Sequence, residues 1–150
     1  QWRLARFMRG LNLERGLIAA AAAGGCIKII EVAKKFVQDR QAFGKKLGEF
    51  QAVSHKFADM RMAMETARLV TYPTVEILDA GDDAVTETAI AKVVATENNF
   101  KVADLGMQVM GAAGYVQGDM QRLFREARMG MIDGGTSEIL RNVFAGRMGI

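Results

Sequence analysis

The stretch that decides the fold is "LIAAAAAGGCIKIIEVAKKF", Leu17 to Phe36. Ile18, Gly25, Ile29, Val32 and Phe36 fall on one face at helical spacing, and Leu17, Ala20, Gly24 and Ile27 fall on a neighbouring one. Two apolar faces predict burial on more than one side. The small residues Ala19 to Gly25 would let another backbone come close, and two glycines in a helix lower its propensity, which points to packing. The run is not a membrane span by this reading, because Lys28, Glu31 and Lys34 interrupt it.

Working outward, the same period recurs. Helix 1 is expected from near Asn12, a candidate N-cap, to near Arg40. Gly44 and Gly48 mark a turn, and helix 2 follows from about Glu49 to about Asp79, with the stripe Phe50, Val53, Phe57, Met60, Met64 and Ala67. Pro73 should kink or interrupt it. "DAGDD" closes it, and Asp82 or Asp83 should start helix 3, about Ala84 to Met110. Ala89, Val93, Thr96, Phe100, Ala103, Met107 and Met110 form its apolar face, and Glu97, Lys101, Asp104 and Gln108 a polar stripe. A short helix around Met120 to Ala127 and a last one from Thr136 to about Arg147 complete the chain. Three long antiparallel helices cannot close a core alone, so the last helix is expected as the fourth member of an all-α, antiparallel (up-down) four-helix bundle.

Composition agrees. The chain has 150 residues, of which 50% are hydrophobic, and only one proline. That suits one globular domain with a sizeable core. A net charge of +3, with acids and bases interspersed, favours a solvated helical surface over a nucleic-acid face. The single Cys26 lies in an apolar run, reads as a small buried hydrophobe and fits a reducing compartment. His55 has no partner at metal spacing, so no metal site is expected. The first residue is Gln1, which leads to the expectation that the chain is part of a longer protein.

The chemistry concentrates in "MIDGGTSEIL", Met131 to Leu140. Two glycines precede Thr136-Ser137-Glu138 and a helical pattern. The first turn of a helix has unpaired N–H groups and a partial positive charge, and glycines let a ligand approach the backbone. Such a turn suits a phosphate, a carbonyl oxygen or a ring oxygen carrying developing charge. It suits equally a tight turn into a capped helix. No lysine follows the glycines, so it is not a P-loop. "RQAFG" places Arg40 and Phe43 at a helix end, where an arginine fork could hold a pyrophosphate and an aromatic could cover a flat ring.

Together, "GLNLERG", "RQAFGKKLGEFQ", "QVMGAAGY", "RLFREAR" and "IDGGTSEILRN" resemble, in order and spacing, the C-terminal domain of the acyl-CoA dehydrogenases. The resemblance covers nearly the whole chain. It implies a four-helix-bundle domain of a flavoenzyme whose preceding helical and β domains are not in this chain. Arg40 resembles the arginine that contacts the FAD pyrophosphate of a neighbouring subunit, Phe43 the aromatic beside that flavin, and Gln51 a further FAD contact. Gln108, Val109, Met110, Gly111 and Ala112 match the stretch lining the adenine end. Thr136, Ser137 and Glu138 match the flavin-contacting turn. Gly134 and Gly135 would lie against the acyl thioester, and Asn12 and Arg15 would help place substrate.

Many members of this family carry a glutamate directly before the "GT" pair. Here Gly134 stands there, and Asp133, one residue earlier, is a weaker rival. The isovaleryl and long-chain branches carry the base on the first helix instead, in a segment like "DLERL". Here "NLERG" places Glu14 at that position. The resemblance thus implies a relocated base. It would remove the α-proton of an acyl-CoA while a hydride leaves the β-carbon for FAD, giving a trans-2-enoyl-CoA. It further implies fatty acid or branched-chain amino acid catabolism, a homo-oligomer (dimer or tetramer), electron-transfer flavoprotein as acceptor, and a bacterial cytoplasm or mitochondrial matrix. Ala112 for a second glycine and Glu126 for an aspartate depart from the family pattern. Two rival readings keep the shape: a non-catalytic assembly domain, and a flavin oxidase or monooxygenase acting on other substrates.

Overall fold

The computed structural model describes residues 2–150, with side chains from Phe7 onward. It is built of helices α1 (Trp2–Asp39), α2 (Gln51–Asp79), α3 (Val85–Met110), α4 (Ala112–Tyr115), α5 (Asp119–Gly130) and α6 (Ser137–Arg147). Two-residue strands β1 (Gln41–Ala42) and β2 (Lys45–Lys46) pair antiparallel, with Gln41 opposite Lys46, and a 3-10 turn at Leu47–Glu49 leads into α2.

The long helices alternate in direction. Gly16, in the first half of α1, lies against Leu78 at the end of α2, and Gly25 and Gly106 place α1 beside α3 in parallel through Asn99 and Ile29. The main core joins Cys26, Ile29, Ala33, Met60, Met64, Val102 and Ala103 to Met120, Leu123 and Ala127 of α5. A second layer is all alanine: Ala19, Ala22, Ala23, Ala67, Ala91 and Ala95. The half-buried Val70 packs against it, and the small side chains let α1, α2 and α3 approach closely there. The α2 stripe read from the sequence faces inward, with Met60, Met64 and Ala67 fully buried.

Several expectations are corrected. Asn12 does not cap α1. The helix begins ten residues earlier, and Asn12 lies inside it, fully buried, its amide nitrogen donating to the carbonyl of Asp83 at 2.9 Å. Neither Asp82 nor Asp83 caps α3; its N-cap is Ala84, in a left-handed conformation at φ 37°. Pro73 does not interrupt α2, because it and Leu69, whose carbonyl loses its donor, both face solvent. The fourth place in the bundle belongs to α5, antiparallel to α3 and packed on both α1 and α3; α6 instead lies along α3, through Leu140 against Ala89 and Val93.

The second apolar face of α1 is uncovered in this chain: Leu17 is 64% and Ile27 43% exposed. By length and composition the segment Phe7–Asp39 is apolar enough to cross a membrane, contrary to the reading of its charges. Its other face, from Ala19 through Cys26 and Ile29 to Ala33, packs instead on the rest of the bundle.

Candidate functional site

The glycine turn between α5 and α6 is held from inside by two buried cations. Gly134 (φ 59°) and Gly135 (φ 101°) both occupy backbone that side chains rarely adopt. A Cβ at Gly134 would also sit 2.5 Å from Ile18 Cδ1. Arg15, 5% exposed, donates its Nε to the Gly134 carbonyl at 3.1 Å and a terminal nitrogen to Asn12 Oδ1 at 3.2 Å. Lys92, fully buried on α3, donates its Nζ to the Gly135 carbonyl at 2.8 Å. Asn12, Arg15, Gly134 and Gly135 therefore form one constellation.

Burial lowers the pKa of both cations. For Arg15 the neighbouring Glu14 opposes the desolvation. For Lys92 the opposing groups are led by Asp133, while Arg15 adds to the depression. Beyond the glycines, Thr136 caps α6, its Oγ1 accepting from the Ile139 N–H at 3.3 Å. Backbone hydrogen bonding and the Thr136 hydroxyl hold the Glu138 carboxyl below the usual range. Ser137 Oγ is buried without a partner among the described residues.

Glu14 is exposed on α1, next to Arg15 and one helical turn before Ile18, two α1 residues that lie against the turn. The structure thus brings the "NLERG" segment and Gly134 to the same end of the bundle. Asp133 is half-buried, with a buried Oδ1 that has no partner among the described residues, and the residue lines a cleft of about 340 Å³ between α1, α3 and α5, shared with Ile18, Ala22, Asn99 and Leu123.

The remaining candidates lie at the opposite end. From Arg15 to Arg40 the axis of α1 runs about 37 Å, at roughly 1.5 Å per residue. Arg40 follows the last residue of α1, exposed, and its guanidinium has no partner among the described residues. Phe43, at the hairpin tip, is 95% exposed and left-handed at φ 52°, its ring T-shaped to that of Phe50 at 6.3 Å between centroids. Gln51, the first residue of α2, is exposed. Because α3 runs parallel to α1, Gln108 to Ala112 share this end. Val109 points into the core and Met110 packs against it, while Gln108, Gly111 and Ala112 are exposed.

Lys92 was not among the residues singled out from the sequence. Its signal lay in "AIAKVVAT": it stands three residues after Ala89 and four before Thr96, in line with the buried face of α3. Cys26 is fully buried in the core, and desolvation pushes its thiol up to about 12. His55 is exposed on α2, and no three His, Cys, Asp or Glu side chains converge as a metal site among the described residues.

Comparison with known proteins fits this arrangement. Residues 4–149 match the family model described as acyl-CoA dehydrogenase, C-terminal domain. The mitochondrial short-chain specific acyl-CoA dehydrogenase of Rattus norvegicus is 36% identical over 142 residues, 94% of this chain and 34% of that protein. The structure of butyryl-CoA dehydrogenase from Megasphaera elsdenii superposes with a TM-score of 0.92 at 31% identity, covering 100% of this chain and 39% of that one. A structure described as PigA with FAD and proline superposes with a TM-score of 0.85 at 28% identity, covering 93% and 37%. The chain spans about a third of the length of the curated relatives it matches. A match over nearly every residue makes this chain a member of the acyl-CoA dehydrogenase family, corresponding to its C-terminal domain.

Proposed function

We propose that this domain serves an FAD-dependent acyl-CoA dehydrogenase, with Glu14 as the base that takes the α-proton of an acyl-CoA thioester. The observation that carries the reading is the 3.1 Å bond from Arg15 to Gly134, which ties the helix turn bearing Glu14 to the glycine where many relatives hold their glutamate. A side chain at position 134 would crowd Ile18 and strain the backbone, so this turn suits a carboxylate supplied from α1.

The residues fit FAD. An unpaired guanidinium at Arg40 suits a pyrophosphate, and the uncovered ring of Phe43 suits a flat heterocycle. Bound FAD supplies the acceptor for the hydride that leaves the β-carbon. The chain's own part would be to hold the thioester at Gly134 and Gly135, to offer one backbone N–H near that site to its oxygen, and to take the proton on Glu14. Thr136, Ser137 and Glu138 would face the flavin beside that thioester.

The two sets of candidate cofactor residues lie farther apart than one dinucleotide spans. Arg40, Phe43, Gln51 and Gln108 to Ala112 would therefore serve a second copy's FAD, which makes a homo-oligomer part of the proposal. Electron-transfer flavoprotein is the proposed acceptor of the electrons. The test is Glu14→Gln in the full-length protein. Retained FAD with loss of α-proton exchange and turnover supports the assignment; near-normal turnover rejects it.

A second reading, a flavoenzyme of this shape acting on another substrate, is favoured by the likeness to PigA with FAD and proline. Flavin bleached by saturated acyl-CoAs supports the first reading; bleaching only by other substrates supports the second.

A further inference from the structure

Three buried polar side chains of α3 are bonded to backbone: Thr88, Lys92 and Thr96 donate to the carbonyls of Ala84, Gly135 and Lys92 at 2.7, 2.8 and 2.8 Å. Asn99, one turn farther along and 9% exposed, differs. Its Oδ1 is buried with no partner among the described residues. An unpaired buried amide is costly, and an apolar side chain of similar size would carry no such cost.

The place of Asn99 suggests what the amide is for. It lines the cleft of about 340 Å³ between α1, α3 and α5. One end of that cleft is at the glycine turn, where Asp133 and Ile18 line it and Ile18 Cδ1 lies against Gly134. Gly25, also in the lining, leaves room for the amide: a Cβ there would stand 3.0 Å from both Oδ1 and Nδ2 of Asn99. From Ile18 to Gly25 the axis of α1 rises about 10 Å, at roughly 1.5 Å per residue. A chain entering from Gly134 along this cleft would run past Ile18 and Ala22 and meet the amide.

The walls of Ile18, Ala22, Ile29, Leu123 and Ala127 suit a hydrocarbon. The amide among them suits one polar substituent on that hydrocarbon. The two acids in the lining already face cations: Glu126 pairs with Arg122 at 2.8 Å, and Asp133 acts on the charge of Lys92. A neutral substituent therefore fits better than an ammonium. A carboxamide offers both a donor and an acceptor, and its terminal torsion is soft, so it can turn either atom to a ligand. A hydroxyl answers both atoms with one group.

We propose that Asn99 is a specificity-determining residue whose amide receives a hydroxyl carried on the acyl chain, so that the cleft selects hydroxyacyl over plain acyl groups. The inference rests on the dehydrogenase reading, which puts the thioester at Gly134.

The test uses the full-length holoenzyme. An extended chain covers roughly 1.2 Å per bond, so about eight bonds reach the amide, as in 8-hydroxyoctanoyl-CoA. The comparison is nonanoyl-CoA, in which a methyl replaces the hydroxyl. In the wild type, kcat/KM for flavin reduction should favour the hydroxylated substrate by about ten- to a hundredfold, and Asn99→Leu should abolish or reverse that preference. If Asn99→Leu does not fold, Asn99→Ala takes its place. Equal values in the wild type, a preference that survives the substitution, or reduction by short acyl-CoAs alone overturns the proposal. If no acyl-CoA reduces the flavin, the proposed function fails separately, and the cleft is then judged by crystals of the full-length protein soaked in 1-octanol. A hydroxyl bonded to the Asn99 amide supports the site; alcohol bound elsewhere, or a protein side chain filling the cleft, overturns it.

Discussion

The two ends of this bundle are built in opposite ways. At one end, Asn12, Arg15 and Lys92 are buried and bonded to the backbone of Asp83, Gly134 and Gly135, and every link lies within the chain. At the other, Arg40, Phe43 and Gln51 project from a two-residue hairpin and a helix start, exposed. The first end is organised before any ligand arrives. The second is a surface waiting for something outside this chain to cover it. In the proposed flavoenzyme the first would be the rigid turn beside the reacting atoms, and the second the edge that meets a neighbouring copy's cofactor.

This contrast can be broken most strongly at the exposed end. Arg40→Ala in the full-length protein should weaken FAD retention by about ten- to a hundredfold, the scale of a charged hydrogen bond, while kcat per remaining flavin stays unchanged. A loss of kcat per remaining flavin like that expected of Glu14→Gln would mean the two ends are not separate. Phe43→Gly should act more gently and in two directions. It relieves a left-handed conformation at φ 52°, raising stability by roughly 1 kcal/mol, yet removes the ring and weakens FAD binding several-fold. A destabilised variant by thermal melting would contradict the assignment of Phe43 to strain kept for binding.

The smallest effect is expected between the ends, at Cys26. Its folded-state pKa is raised from 9.0 to about 12, so its contribution to stability is fully present below pH 9.0 and is lost as pH rises toward about 12. Native protein should resist iodoacetamide, and Cys26→Ala should lose less urea resistance across that alkaline window than wild type. Ready alkylation of the folded protein would mean the middle of the bundle opens more easily than either end.

Periodicity made the long helices legible. The α2 stripe from Phe50 to Ala67 needs only helical spacing and a core to face. Other features were hidden because one residue type serves several ends. Asn12 has the chemistry of an N-cap, and the same amide crosses between helices to Asp83. Two aspartates before α3 read as caps, but the Asp83 carbonyl is engaged by Asn12 and Ala84 turns left-handed instead. The bundle's fourth helix was hidden because α5 carries five charged side chains in twelve residues, although Met120, Leu123 and Ala127 complete its apolar face. At the site, motif order brought Glu14, Arg15, Gly134 and Gly135 into one set. Lys92 escaped because a single lysine reads as a solvated residue unless its place on the buried face is weighed.

The account's central claim is that the carboxylate of Glu14 takes the substrate proton. The most direct measurement is anaerobic mixing of full-length Glu14→Gln with a saturated acyl-CoA in deuterium oxide, following flavin absorbance and deuterium at the α-carbon. The account predicts bound acyl-CoA, intact FAD, no α-exchange and flavin that stays oxidised. Exchange and bleaching at rates near wild type would contradict it.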